Sequence, residues 1–157
     1  MTVPETRANY FPLLLFLLVL FIFRVVCQLL VANFEVSFLP PMNQWQSGLL
    51  PYPLLVFFQF LIIAVYGRVC RDFWFGNGYF VQPNAKLAKF LTIFGSVYFV
   101  AMILRYIIRM EMFPEARWFD GTLPIFFHLV LASFILTVAK YQRAIISQLT
   151  VSRSENA

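Results

Sequence analysis

Apolar residues fall along this chain in four long, nearly unbroken runs. They do not alternate as in a strand, nor recur on a single stripe as in a surface helix of a soluble fold. The runs cover about residues 10–31 (YFPLLLFLLVLFIFRVVCQLLV), 51–67 (PYPLLVFFQFLIIAVYG), 87–108 (LAKFLTIFGSVYFVAMILRYII) and 122–139 (TLPIFFHLVLASFILTVA). Each approaches the roughly 20 residues that a helix needs to cross a bilayer. The pattern predicts an all-α integral membrane protein with four transmembrane helices in a compact antiparallel bundle.

The breakers agree with these limits. Pro40 and Pro41 separate the first two runs, and Pro51 and Pro53 suit the first turn of the second helix, where a missing N–H is tolerated. Gly-Asn-Gly at 76–78 signals a turn, and the aromatic clusters on both sides of it predict a short hairpin in the second loop, 67–86. Gly121 and Pro124 open the fourth helix. Connections are short and no internal repeat is visible, so 1–157 reads as a single membrane domain. The first run reads as retained rather than cleaved. Glu5 opposes Arg7 ahead of it, and LVANFEV offers only Ala32 as a small residue for cleavage.

Composition strengthens the membrane reading. Of 157 residues, 61% are hydrophobic, 19% aromatic and only 12% charged, whereas a soluble domain is about one quarter charged. The net charge of +5 does not imply nucleic acid, because the basic residues stand in ones and twos beside the runs and form no stripe. They set orientation instead. Arg7, Arg68, Arg71, Lys86, Lys89, Lys140, Arg143 and Arg153 gather on one side, while the first loop (32–50) has no Lys or Arg. Arg109 and Arg117 of the third loop are offset by Glu111, Glu115 and Asp120. Both termini and the second loop are therefore expected in the cytoplasm, in a bacterial inner membrane. Tyr10, Trp45, Tyr52, Trp74, Tyr79, Trp118 and Tyr141 fall at or beyond the helix ends, where interfacial aromatics belong. Cys27 and Cys70 would lie at opposite depths and are not expected to pair.

Polar residues at membrane depth are costly and are the natural functional candidates. At about 1.5 Å per residue, Arg24, Gln59, His128 and Arg105 lie roughly 13, 12, 9 and 6 Å below the outer interface. Gln28 shares the Arg24 face at i,i+4. Tyr52, Gln59 and Tyr66 recur every seven residues, and Gly95, Tyr98, Met102, Arg105 and Arg109 share a face of the third helix. The candidate cluster is Arg24, Gln28, Gln59, Tyr98, Arg105 and His128, all in the outward half; the inward half offers no comparable set.

Three readings compete for that cluster. The first is structural: Arg24 snorkels, or pairs with Glu35, Glu111, Asp120 or backbone carbonyls, while Gln59 and His128 bond across helices. The second is a site for a quinone, a lipid head group or another anionic amphiphile, held by the arginine forks with Tyr98 and Met102 along its apolar part. The third is docking of Arg24 against an acidic group of a partner subunit. Arg68, Arg71, Lys86 and Lys89 form a second candidate set, at the lipid head-group interface; its plainer reading is a topogenic charge cluster.

Catalysis finds no motif: GxSxG, HExxH, Walker A and GxGxxG are all absent, and no buried carboxylate pair is expected. His128 is the single histidine, which excludes bis-histidine haem within one chain and leaves a zinc site without its usual ligands. Haem with Met102 or Met110 as second ligand stays formally open. The expected role is a non-catalytic accessory or structural subunit of a larger membrane complex, with membrane lipids and other subunits, or a second copy, as partners. No cofactor is predicted beyond a bound quinone or lipid. A reporter fused after Ala157 is expected to read cytoplasmic; an external reading would invert every depth given above.

Overall fold

The computed structural model describes residues 3–34, 36, 38–45, 51–114 and 122–155. Among them are four helices, α1 (Val3–Phe34), α2 (Tyr52–Phe75), α3 (Ala85–Met112) and α4 (Leu123–Glu155), with a 3-10 turn at Met42–Gln44. All four are long and apolar enough to cross a membrane. The protein is all-helical among these residues, with the sequence character of an integral membrane protein.

The helices overrun the apolar windows. α1 starts at Val3 and passes through Pro12, and α4 continues to Glu155. Hydropathy marks where a chain leaves hydrocarbon, but it does not stop a helix; a residue held in the left-handed conformation does. α2 accordingly runs past Gly67 and ends at Gly76, whose φ of 71° is left-handed and whose N–H donates to Asp72 O at 2.9 Å. The hairpin expected over 67–86 is therefore not formed: residues through Phe75 are helical, and only a turn remains before α3. Asn84 opens α3, its side chain accepting from Leu87 N–H at 3.0 Å, a standard N-cap that follows Pro83.

Packing is organised around α1 and α4. In their spans about half the residues are buried (50% and 56%), against 17% for α2 and 11% for α3. The buried stripe of α4 runs Phe127, Leu131, Phe134, Val138, Tyr141, Ile145, in steps of four and three. That of α1 runs Leu14, Leu18, Phe21, Val25, Gln28 in the same steps. Such seams mesh like a coiled coil. The pair is antiparallel: Tyr10 near the start of α1 meets Tyr141 late in α4, their ring centroids 5.8 Å apart. α2 leans on α1 and α3 on α4, giving the order α2–α1–α4–α3 with antiparallel neighbours. Between lipid-bathed helices, close van der Waals contact replaces the hydrophobic drive. Tyr66 stacks on Phe134 at 3.8 Å between ring centroids, and the exposed phenylalanines of α2 and α3 face outward.

Two aromatic assignments change. Tyr141 is fully buried in the core, not interfacial. Trp45 is only 5% exposed and packs with Cys27, Val31, Leu39 and Met42, so the described part of the first loop folds back onto the end of α1. Trp74 and Tyr79 remain exposed, as interfacial anchors should. Trp118 and Gly121 lie outside the described residues. Both cysteines are free thiols.

At Gly95 α3 approaches α4 closely. A Cβ there would lie 2.9 Å from Leu136 Cδ2 and 3.1 Å from Ile135 Cγ2, whereas one on Gly67 meets nothing within 4 Å. Gly95→Leu is expected to destabilise the fold by about 1–3 kcal/mol through overpacking, and Gly67→Leu by no more than about 0.5 kcal/mol. Thermal unfolding of both variants in one detergent checks the contrast; equal losses would mean that the seam does not need a glycine.

Candidate functional site

Of the six candidates, four are engaged in two pairs. Gln59 Nε2 donates to Gln28 Oε1 at 2.9 Å, tying α2 to α1, with both side chains buried. The Tyr98 hydroxyl and His128 Nδ1 share a hydrogen bond of 2.5 Å that ties α3 to α4. Midway, the Tyr66 hydroxyl donates to Leu131 O at 2.9 Å, joining α2 to α4. The i,i+4 and heptad spacings predicted these inward faces; the partner at the far end of each bond lies on another helix, which spacing cannot name.

Arg24 is 6% exposed and its Nη2 donates to Trp45 O at 3.0 Å. Its guanidinium also lies 5.5 Å from the Phe127 ring centroid, within cation–π range. The carbonyl of the folded first loop thus receives the charge, which is the backbone-carbonyl option among the partners expected for it. Trp45 Nε1 in turn donates to Pro40 O at 2.8 Å, fixing the loop that Arg24 holds. Glu35 and Asp120, two of the anticipated acidic partners, lie outside the described residues.

Arg105 sits apart from these bonds. It lines a groove of about 440 Å³ on the outer face of α3, together with Arg109, Leu104, Ile108 and Phe113. Arg109 also lies 5.6 Å from the Phe113 ring centroid. Arg24 Nε, Gln28 Nε2 and Gln59 Oε1 make no hydrogen bond with the described residues.

The end of the bundle that carries the termini is more polar inside than expected. Gln142 is fully buried. Its Nε2 donates to Phe80 O (2.6 Å) and Gln82 O (3.0 Å), and its Oε1 accepts from Asn84 N–H (2.9 Å). The Tyr141 hydroxyl donates to Val81 O at 3.1 Å. Together they supply partners for backbone groups of the α2–α3 link, in which Val81 is buried. Gln148 Nε2 donates to Thr6 Oγ1 at 2.8 Å. Buried Asp72 accepts from Arg68 Nε at 3.2 Å, and its carboxylate stands where a Cβ on Gly78 (φ 112°) would fall. The Arg7 guanidinium occupies the same relation to Gly76. The half that carries the termini, expected above to offer no comparable set, therefore has a polar set of its own. It was overlooked because Tyr141 and Gln142 follow the end of the apolar window and stand beside Lys140 and Arg143, so they read as tail. The heptad stripe, continued beyond Val138, is the signal that would have found Tyr141.

The head-group set divides. Arg68 turns back to Asp72, Arg71 and Lys86 are exposed, and Lys89 lines a groove with Arg143. Among the described residues, no three His, Cys, Asp or Glu side chains gather where they could hold a metal. Comparison of the chain with protein-family models, with curated proteins and with solved structures finds no match.

The hydrogen-bond inventory ranks the two ends. Gln142→Leu removes three hydrogen bonds to half-buried and exposed backbone groups, each worth about 0.5–1.5 kcal/mol. Gln28→Leu/Gln59→Leu removes one interhelical bond, worth about 0.6 kcal/mol on average in membranes, and strands neither partner. Gln142→Leu is therefore expected to lower the unfolding midpoint in detergent clearly more than Gln28→Leu/Gln59→Leu, and the reverse order would show that the Gln28–Gln59 pair holds the fold.

Proposed function

We propose that this protein is a non-catalytic accessory or structural subunit of a larger membrane assembly, set in a bacterial inner membrane with both termini in the cytoplasm. One observation carries the reading: the polar side chains at membrane depth are largely engaged in interhelical and loop-anchoring bonds, as in Gln28–Gln59, Tyr98–His128 and Arg24–Trp45. Residues used this way hold helices together. What remains for function is the outside of the bundle, where Phe57 and Phe60 on α2 and Phe90, Phe94 and Val97 on α3 are exposed. Aromatic faces of this breadth suit burial against helices of other subunits.

A second reading keeps a binding role, in which the chain holds a quinone, lipid head group or other anionic amphiphile as part of a redox or lipid enzyme. The groove beside Arg105 and Arg109 favours it, since arginine's planar fork matches carboxylate and phosphate.

Photo-crosslinkers placed at Phe57 and at Phe94 in native membranes separate the two. The accessory reading expects a discrete protein adduct from at least one face. Lipid adducts alone from both faces overturn it. Co-purification of a quinone or anionic amphiphile that Arg105→Gln abolishes would carry the second reading instead.

A further inference from the structure

At the termini end of the α3–α4 seam lies a groove of about 610 Å³. Buried Ala88 forms its floor, Ile93 and Ile146 its apolar walls, and Lys89 from α3 and Arg143 from α4 its cationic rim, with Ser147 beside Arg143. Lys89, Arg143 and Ser147 are exposed, and no carboxylate is among the lining residues. Two helices are needed to make this rim; neither presents both charges.

The groove is also amphipathic along the membrane normal. Lys89 stands in the second turn of α3, where the apolar run begins, and Arg143 follows the apolar run of α4 by one turn. Below them, α3 continues outward-facing through Phe90, Phe94 and Val97, which are 62%, 48% and 65% exposed. Cations at the head-group level above an apolar trough match a molecule that is anionic at one end and a hydrocarbon chain at the other. A lysine and an arginine in this position attract a phosphate, and each contributes by its nearness to an anionic lipid surface.

We propose that this groove seats one anionic phospholipid, with its head-group phosphate between Lys89 and Arg143 and its upper acyl chain along Ile93 and the exposed face of α3. The seat is at the opposite end of the bundle from Arg105. It shares part of the exposed α3 face with the accessory-subunit reading, but its test reads lipid retention and not assembly, so the two fail separately.

The protein, purified in a neutral detergent, is offered limiting phosphatidylglycerol or phosphatidylcholine, and bound lipid per chain is read by native mass spectrometry. One phosphatidylglycerol is expected to be retained in preference to phosphatidylcholine. The double variant Lys89→Ala/Arg143→Ala is expected to weaken that retention about 30-fold, from about 1 kcal/mol per cation. Arg71→Ala/Lys86→Ala removes the same charge outside the groove and is expected to leave retention unchanged. Ser147→Trp, which fills the groove without touching its charge, keeps the test open should the first variant fail to fold, and is expected to abolish retention. Equal retention of both lipids, equal loss in the Arg71/Lys86 variant, or retention that survives Ser147→Trp would each overturn the proposal.

Discussion

The antiparallel seam between α1 and α4 is the contact on which the rest of the molecule hangs. Both helices present leucine, phenylalanine and valine at steps of three and four, and both are long, with 32 and 33 residues or about 50 Å of rod. α2 and α3 each bury little and use one side of that rod pair as their support. In lipid no apolar penalty drives such helices together, so shape and polar bonds must decide the arrangement. The seam supplies shape; the side-chain bonds fix which helix sits where.

Those bonds divide by level. In the half away from the termini they run between neighbours, with one bond for α1–α2 and one for α3–α4, and Tyr66 crosses from α2 to α4. Arg24 does something different, since it pins a loop rather than a helix. A buried arginine that met only hydrocarbon would be costly; here a carbonyl and an aromatic face take its charge, and the first loop gains an anchor in return. At the other end, two adjacent residues of α4 satisfy the link between α2 and α3.

How much of this was legible follows from what each signal measures. Hydropathy found the four helices long and apolar enough to cross a membrane, because hydrocarbon excludes charge. It cut α4 short at Ala139 because charge returns at Lys140 while the helix continues. Helical spacing put Arg24 with Gln28, and Gln59 with Tyr66, on inward faces, but the Gln28–Gln59 and Tyr98–His128 partnerships depend on the rotation of one helix against another. Nothing local encodes that rotation. Trp45 was misread for a related reason: an aromatic at a helix end suits the interface and the loop core equally well, and only the Arg24 contact distinguishes them. Gln142 was the least visible of all, because its partners are backbone atoms of a segment about sixty residues earlier.

That separation has a consequence in time. The link at Phe80–Asn84 leaves the ribosome well before Gln142, at sequence separations of 58 to 62 residues. Until α4 arrives, those carbonyls and the Asn84 amide have only water or head groups as partners. The clasp closes when α4 docks and not earlier. α4 can thereby be the helix that locks the order of the three before it.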